Sequence, residues 1–321
     1  MPSFNEMISR TGAEALIPVE QSRTIINGIV EDSSVLKLAT RLPDMTSKQL
    51  KMPVLSALPM AYFVNGDTGL KQTTHAAWEN KMIVAEEIAA IVPVPDAVLA
   101  DADYDIWGQI SPLVSQAFGK VIDNAILYGT NKPTSWLDGI VTTATAKNNV
   151  VTATADGYAD IMGVGGLLSL VEEDGYMVNG YLGSMQSRAM LRGIRGEDGQ
   201  PIFRTGMKDG TTYQLDGDTI LFPRNGSMGA SSPLLIAGDW SQLVYAMRQD
   251  MTVTKSNQAV ITDADGKVII NLYQQDMTAL RFVMRLGWQL PQPASAFEAE
   301  NPFPFAVLNK GIPEGDTPEE T

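Results

Sequence analysis

Carboxylate groups are the side chains of this sequence that could most readily carry out acid–base chemistry. They cluster at two places, Glu86-Glu87 and Glu172-Glu173-Asp174. General acid–base catalysis of this kind requires two such groups that face one site. Neighbouring residues of a strand point to opposite faces, so Glu86 and Glu87 cannot share a site on a strand. The second group falls at a predicted helix end, where we expect its side chains to be solvated.

Composition limits nucleophile and metal chemistry further. The chain contains no cysteine and a single histidine, His75. Thiolate nucleophiles, disulfides, zinc–thiolate sites and multi-histidine metal sites are therefore excluded. His75 lies in a polar segment, and no G-x-S-x-G motif accompanies it. We therefore expect no enzymatic activity, no metal site and no cofactor.

Two short motifs have structural interpretations that need no ligand. Residues 263–266 (DADG) resemble the opening of a calcium loop, but no glutamate closes the loop at the required position. We interpret them as a hairpin turn. Residues 162–166 (MGVGG) lack the spacing of a dinucleotide-binding fingerprint between a strand and a helix. We interpret them as close packing within a helix or at its edge.

The length and the net charge of the chain limit the classes of protein to which it could belong. A chain of 321 residues is long for one hydrophobic core, so two subdomains are expected. No apolar run approaches the ~18 residues of a membrane span, and the N-terminus lacks the apolar core of a signal peptide. We therefore expect a soluble protein, made in the cytoplasm and without a membrane partner. The net charge of -14 argues against a nucleic-acid-binding protein, which normally carries a basic patch.

A long helix over residues 103–129 organises the rest of the chain, and we call it the spine helix. About 25 residues span nearly 40 Å at 1.5 Å per residue. Pro112 either kinks this helix or follows Ser111 as the first residue of a second one. We favour a short helix that runs into a long one ending near Tyr128. Its apolar stripe has helical spacing and comprises Ile106, Ile110, Leu113, Val114, Ala117, Val121, Ala125 and Ile126.

Extended segments precede the spine helix. The sequence predicts strands at residues 49–52, 61–64 and 78–92, with an Asn65-Gly66 turn after the second. We interpret residues 47–92 as a long hairpin with a polar tip that projects from the body. A two-stranded hairpin cannot bury both of its faces. It must therefore lie on another subunit or remain mobile.

The remaining segments predict an α+β chain. Short helices are expected at residues 23–31 and 33–40, in a terminal arm packed on a neighbour or on the chain itself. Helices at 158–173 and 184–194 alternate with short strands, which indicates an α/β subdomain over 134–238. Long strands follow up to residue 290. Beyond residue 300 the composition predicts a disordered acidic tail.

Taken in order, these features resemble the major capsid proteins of tailed bacteriophages of the Hong Kong 97 type. The resemblance covers residues 17 to 297. It is carried by the order and spacing of several short stretches: LIPVE at 16–20, KMPVL at 51–55, AYFVNGDTG at 61–69, AWE at 77–79, IVPVP at 91–95, DYDI at 103–106, ILYG at 126–129, GDWSQ at 238–242 and the segment 280–296.

The resemblance implies a subunit of four parts and a tail. An N-terminal arm (1–45) would lie along neighbours, and an extended β-hairpin loop (46–84) would overlap the adjacent subunit. A peripheral domain (85–133 and 240–300) would hold the spine helix, and an axial α/β domain (134–239) would meet its copies around the five- and six-fold axes. Residues 301–321 would form the flexible acidic tail.

The same resemblance implies function and partners. Subunits would form pentamers and hexamers of an icosahedral shell around double-stranded DNA, assembled in the host bacterial cytoplasm. The inter-subunit contacts of the extended loop would include Tyr62, Asn65, Gly66, Asp67, Lys71 and Trp78, and the spine helix would present Ile110, Leu113, Val114, Val121 and Ile126.

Some relatives depart from the pattern of this chain. Some begin with a scaffolding segment that is cut off. Here the arm starts almost at Met1, so we expect any scaffolding protein to be a separate chain. Portal and decoration proteins would be separate chains as well. Some relatives are crosslinked by lysine–asparagine bonds, but Lys71 has no matching asparagine or acidic catalyst and reads as an ordinary exposed lysine. Two alternatives stay open, a bacterial nanocompartment shell that encloses an enzyme cargo and a carboxylate-dependent hydrolase.

Overall fold

Helices and strands alternate along the part of the chain that the computed structural model describes. That part comprises residues 33–61, 63, 73–99, 106–154, 156–194, 213–229, 233–263, 265–295, 297 and 302–311. Its helices are α1 (Ser34–Leu38), α2 (Asp96–Leu99), α3 (Ile106–Tyr128), α4 (Ile140–Ala146), α5 (Gly157–Met162), α6 (Leu167–Glu173) and α7 (Met185–Gly193). Its strands are β1 (Thr40–Arg41), β2 (Gln49–Ala57), β3 (Ala77–Val84), β4 (Glu86–Pro95), β5 (Val150–Thr152), β6 (Gly180–Gly183), β7 (Tyr213–Leu215), β8 (Asp218–Leu221), β9 (Leu235–Gly238), β10 (Val244–Ser256), β11 (Val260–Thr262), β12 (Val268–Asn271), β13 (Met277–Gln289) and β14 (Phe305–Asn309).

One sheet is built on two long strands and has the order β1-β10-β13-β4. β10 and β13 pair antiparallel from Val244 with Gln289 to Ser256 with Ala279, with register shifts between Met247 and Thr252, and β4 pairs along the other side of β13. Alternate residues of β13 from Leu280 to Trp288 join the core that includes the spine helix, α3. The opposite face is also covered, because a Cβ atom at Gly287 would lie 2.5 Å from the Val84 carbonyl oxygen.

A second sheet has six strands in the order β5-β14-β9-β6-β8-β7. β6 and β9 are buried along their whole length, as expected for central strands covered on both faces. β14 lies between β5 and β9, which makes the last described strand of the chain an interior one. The predicted flexible tail is therefore wrong for residues 305–309, which complete this sheet.

Two separate hairpins extend from these sheets. β2 and β3 pair in antiparallel register from Gln49 with Val84 to Ala57 with Ala77, as the sequence predicted. β11 and β12 form a smaller hairpin around the Asp263 turn. The Asp263 carboxylate accepts hydrogen bonds from the backbone N–H groups of Asp265 and Lys267, at 3.1 and 2.8 Å. The hairpin-turn interpretation of this motif is confirmed.

The spine helix α3 is continuous for 23 residues, about 35 Å, and contains Pro112 in its interior. The predicted break into a short and a long helix is therefore wrong. Its end at Tyr128 is confirmed, and Gly129 follows with a φ angle of 68°, the left-handed conformation that glycine adopts without strain. Asp103 and Asp105, either of which could cap the start of the helix by its residue type, lie outside the described residues.

The structure corrects three other expectations. The predicted helix over 158–173 is two helices, α5 and α6, which meet at the glycine cluster. A Cβ atom at Gly163 or Gly166 would lie 2.6 or 2.7 Å from the Ala159 carbonyl oxygen, so close packing at a helix edge is confirmed. Ala61 and Phe63 lie outside any strand, and the extended run 78–92 is divided at Ala85 between β3 and β4. Met177 precedes β6 and is exposed, and Met185 and Ala189 are exposed on α7, whose buried residues are Ser187 and Leu191.

Candidate assembly surfaces

The spine helix buries one face and leaves apolar residues on another. Ile110, Val114 and Ile126 are buried, because they pack into the core beneath the long strands. Leu113 is 64% exposed and Val121 is 47% exposed, although both belong to the same apolar stripe of the sequence. Their spacing of eight residues puts them on one side of the helix, where they form an apolar stripe that the described part of the chain leaves exposed.

The sequence reasoning missed residues that complete the buried face. Phe118 and Ile122 continue the series from Val114 at intervals of four, and both are buried. That spacing was visible in the sequence, but so was the competing stripe through Leu113 and Val121. Both stripes have helical spacing, so periodicity alone could not choose between them.

Asp123 is the buried charge of the spine helix. Its side chain is fully buried and accepts hydrogen bonds from the Ser33 hydroxyl at 2.6 Å, the Asn225 amide at 2.7 Å and the backbone N–H groups of Ser34 and Val35. Burial raises the pKa of Asp123, and these hydrogen bonds offset part of the rise. The carboxylate therefore joins the start of α1, the spine helix and the loop before β9.

The terminal arm packs on its own subunit from residue 33 onward. Val35 and Leu36 are buried in the same core as the spine helix. β1 then pairs in parallel with β10, and the Met45 N–H group donates to the Met247 carbonyl oxygen at 2.7 Å. The predicted helix at 33–40 is confirmed as α1. Residues 33–45 thus lie on their own chain, whereas the predicted helix at 23–31 lies outside the described residues.

The base of the β2–β3 hairpin is anchored on its own subunit. Ile83 and Val54 are buried, and Ile83 packs with Met45 and Val244. The Ala294 N–H group donates to the Leu55 carbonyl oxygen at 2.8 Å. The described hairpin is therefore held on its own subunit from its base as far as Leu55, which pairs with Trp78.

The hairpin nevertheless exposes large apolar side chains at and beyond the pair of Leu55 and Trp78. Trp78 is 68% exposed, and Met60 and Phe63 are more exposed still. Trp78 was the predicted contact residue that the structure describes, and it faces solvent on this subunit. Tyr62, Asn65, Gly66, Asp67 and Lys71 lie outside the described residues.

The carboxylate groups considered for catalysis do not form a shared site. Glu87 pairs with Arg285 on β13 at 2.5 Å, whereas Glu86 accepts a hydrogen bond from the Ser135 hydroxyl at 2.6 Å. Glu172 and Glu173 are exposed as expected. Asp174 is half-buried instead, and its carboxylate accepts hydrogen bonds from the Asn149 amide and the Phe303 N–H group. This aspartate holds the chain that leads into β14.

Neither a membrane-spanning helix nor a metal-ligand cluster occurs in the described ranges. None of the described helices combines the length and apolar character needed to cross a membrane. Among the described residues, no three histidine or carboxylate side chains gather where they could hold a metal ion. These surfaces share exposed apolar side chains, a feature typical of a protein that is completed by neighbouring copies.

Sequence comparison decides between the classes of protein that share this pattern. The profile of the Phage capsid family matches residues 13–299. The chain belongs to the phage capsid family. It is a structural major capsid protein of a phage and a component of the virion capsid, and it is not an enzyme.

Individual capsid proteins support the same assignment. The major capsid protein of Staphylococcus phage 80alpha is 26% identical over 273 residues, which cover 84% of this chain and 79% of that protein. A solved structure from Microbacterium phage Oxtober96 has 36% identity and a TM-score of 0.75, with 87% of this chain and 91% of that chain covered.

The fold extends to more distant particles. The capsid of a native GTA particle computed with C5 symmetry matches with a TM-score of 0.61 at 15% identity, over 96% of this chain and 95% of that chain. The capsid fold of the Hong Kong 97 type, with its mixture of helices and sheets, is thereby confirmed. Members of this family form multimeric capsid shells. Neither the nanocompartment shell nor the hydrolase receives support.

Proposed function

We propose that this capsid protein assembles into the pentamers and hexamers of an icosahedral head, through contacts made by the far part of the β2–β3 hairpin. The observation that carries the proposal is the exposure of Trp78, Met60 and Phe63 on a hairpin whose base is anchored. Aromatic side chains that become desolvated in a partner's pocket dominate the binding energy of many interfaces. An anchored base with an apolar far part suits a subunit that covers its neighbour.

The boundaries of the four parts are likewise proposals. The sheet of β1, β10, β13 and β4 with the spine helix corresponds to the peripheral domain, and the six-stranded sheet corresponds to the axial domain. Because β14 pairs within the six-stranded sheet, we assign residues 302–311 to the axial domain as well. The predicted contact residues Tyr62, Asn65, Gly66, Asp67 and Lys71 lie between β2 and β3 in the sequence, and we propose that they contact the neighbouring subunit together with Trp78.

The contents and partners of the head follow from charge and from family. We propose that the shell assembles in the cytoplasm of the host bacterium and surrounds double-stranded DNA without sequence-specific binding. The net charge of -14 supports this, because a negative wall does not retain a polyanion. Scaffolding, portal and decoration proteins would be separate chains. Purified shells mixed with duplex DNA at physiological salt should therefore leave its electrophoretic mobility unchanged, and retarded DNA would contradict the proposal.

Assembly is tested by substitution at the exposed tryptophan. The purified parent chain, imaged by negative-stain electron microscopy, should form closed shells or capsomers. Trp78→Ser should leave the free energy of unfolding of the subunit within about 0.5 kcal/mol, because the side chain makes little contact within its own chain. It should nevertheless reduce shell formation at least tenfold. Trp78→Phe, which keeps an aromatic ring, serves as the matched control and should assemble.

Two outcomes would overturn this proposal. A parent chain that remains a small solitary monomer would reject shell assembly by the chain on its own. Normal shell formation by Trp78→Ser would reject the hairpin as the contact while leaving assembly itself intact.

A further inference from the structure

The link between the hairpin and the long-stranded sheet is held by residues that directly follow the spine helix. The indole N–H group of Trp136 donates to the Val84 carbonyl oxygen at 3.1 Å. The Ser135 hydroxyl donates to the Glu86 carboxylate at 2.6 Å. Val84 ends β3 and Glu86 begins β4, so both bonds fall on the turn where the hairpin leaves the sheet. We call Ser135, Trp136 and Glu86 the hairpin clamp.

The other strand of the hairpin is tied to the same point. The Lys48 ammonium group lies 3.8 Å from the Glu86 carboxylate. The Lys48 carbonyl oxygen also accepts a hydrogen bond of 2.9 Å from the Ala85 N–H group. Lys48 directly precedes β2, so Glu86 stands between the beginning of β2 and the end of β3. Both strands are thus gathered at the clamp.

The clamp is itself fixed to the spine helix and to the sheet. After Tyr128 the chain turns through Gly129 and Asn131, both with positive φ angles. The Lys132 ammonium group then donates to the Trp136 carbonyl oxygen at 3.2 Å. The Trp136 ring packs edge-on against Trp288 of β13, with ring centroids 6.4 Å apart. A short, braced segment therefore connects the end of the spine helix to the base of the hairpin.

Small rotations at this base are amplified along the hairpin. The eight residues of β3 span about 25 Å at roughly 3.3 Å per residue. A rotation of about 10° at the clamp would move the far end of an otherwise free strand by about 4 Å, given that length. The hydrogen bonds from Gln289 to Met82 and from Ala294 to Leu55, which pairs with Trp78, oppose such a rotation, so about 4 Å is an upper limit for the described strands.

We propose that Glu86 and Trp136 are positioning residues that set the direction in which the hairpin leaves the subunit and couple that direction to the end of the spine helix. The proposal rests on the proposed function, since the direction matters for assembly only if the hairpin contacts a neighbour. The coupling itself is a property of one subunit and can be measured without assembly.

The absence of cysteine from the chain permits a direct distance measurement. Spin labels are attached to two introduced cysteines at exposed sites, Ser56→Cys on β2 and Gln116→Cys on the spine helix. Labelled chain is mixed with excess unlabelled chain, so that distances within one subunit dominate. Pulsed electron spin resonance then gives the distribution of hairpin directions, in free subunits or in shells.

Two variants distinguish the effect of the clamp from that of other contacts in the sheet. Glu86→Ala with Trp136→Phe removes the side-chain acceptor and the indole donor but keeps an aromatic ring against Trp288. It should shift or broaden the distance distribution relative to that of the parent, by at most about 4 Å, the displacement of an otherwise free strand of this length. Glu87→Ala is the matched control, because Glu87 is the next residue of β4 but pairs with Arg285. Its distribution should match the parent's.

Each outcome has a defined meaning. An unchanged distribution in the clamp variant, or an equal change in Glu87→Ala, would overturn the proposal. If the double variant fails to fold in a thermal unfolding scan, Glu86→Ala alone carries the test. Negative-stain imaging of the parent remains a separate readout, so a distance change without shells would reject the proposed function and leave the clamp standing.

Discussion

The Ser33 hydroxyl donates a 2.6 Å hydrogen bond to the Asp123 carboxylate, and both side chains are fully buried. The two residues lie 90 positions apart in the sequence, so this bond joins the arm to the spine helix over a long stretch of chain. Asn225 donates to the same carboxylate from a third segment. Asp123 is therefore a junction of the subunit, and it motivates the first two predictions.

Replacing Asp123 by alanine should lower the free energy of unfolding of the subunit by about 3 kcal/mol, because several buried donors would lose their charged acceptor. Urea unfolding followed by tryptophan fluorescence measures the change. Asp138→Ala is the control, because Asp138 is an exposed partner of Lys132 and its removal should cost less than about 1 kcal/mol. Equal losses in the two variants would contradict a special role for Asp123.

The raised pKa of Asp123 predicts a dependence of stability on pH. Its pKa is raised chiefly by burial, so the folded chain holds the proton more tightly than the unfolded chain does. The contribution of this group to the free energy of unfolding therefore falls as pH rises from its ordinary pKa to the raised value, and is constant above that.

Asp123→Asn cannot titrate and isolates this contribution from those of other carboxylates. The free energy of unfolding of the parent minus that of the variant should fall as pH is raised through the same window. Urea titrations of both proteins at a series of pH values give this difference. A difference that is constant or that grows with pH would refute the assignment of the titration to Asp123.

The interior position of β14 predicts opposite results for two C-terminal deletions. Removing residues 302–321 takes a buried strand from between β5 and β9, and the shortened chain should fail to fold into soluble subunits. Removing residues 312–321 leaves every described contact of β14 in place and should yield folded protein. Phe305→Ala gives a graded test and should cost about 3–5 kcal/mol in unfolding free energy. Soluble, cooperatively unfolding subunits without residues 302–321 would contradict the observed sheet order.

The two faces of the spine helix should respond differently to substitution. Ile122→Ala should lower the free energy of unfolding by about 2–5 kcal/mol, because it removes buried methyl groups from a packed core. Leu113→Ser combined with Val121→Ser should change that free energy by about 0.5 kcal/mol or less, apart from the small loss of helix propensity, since both side chains are exposed. Calorimetric unfolding compares the two. A large loss in the second variant would show that the apolar stripe is covered within the subunit.

Local patterns in the sequence were sufficient for the elements and the class of the protein. Extended patterns within residues 47–92 predicted a hairpin there, and helical spacing predicted a long helix that ends near Tyr128. The order of short stretches pointed to the capsid family. The absence of cysteine excluded thiolate chemistry outright. Each of these inferences depends on a property of neighbouring residues, such as backbone propensity or side-chain period, which the sequence carries directly.

Only the tertiary structure decided which surfaces are covered and which segments meet. Leu113 and Ile122 each belong to a series of apolar residues with helical spacing. Only the position of the long strands determines that Ile122 is the buried one. The acidic composition after residue 300 hid β14, because burial of Phe305 depends on β5 and β9, which lie far away in the sequence. The contacts of Asp123 with Ser33 and of Trp136 with Val84 likewise join distant segments. Such contacts arise from the closure of the chain around its core, and no local pattern encodes them.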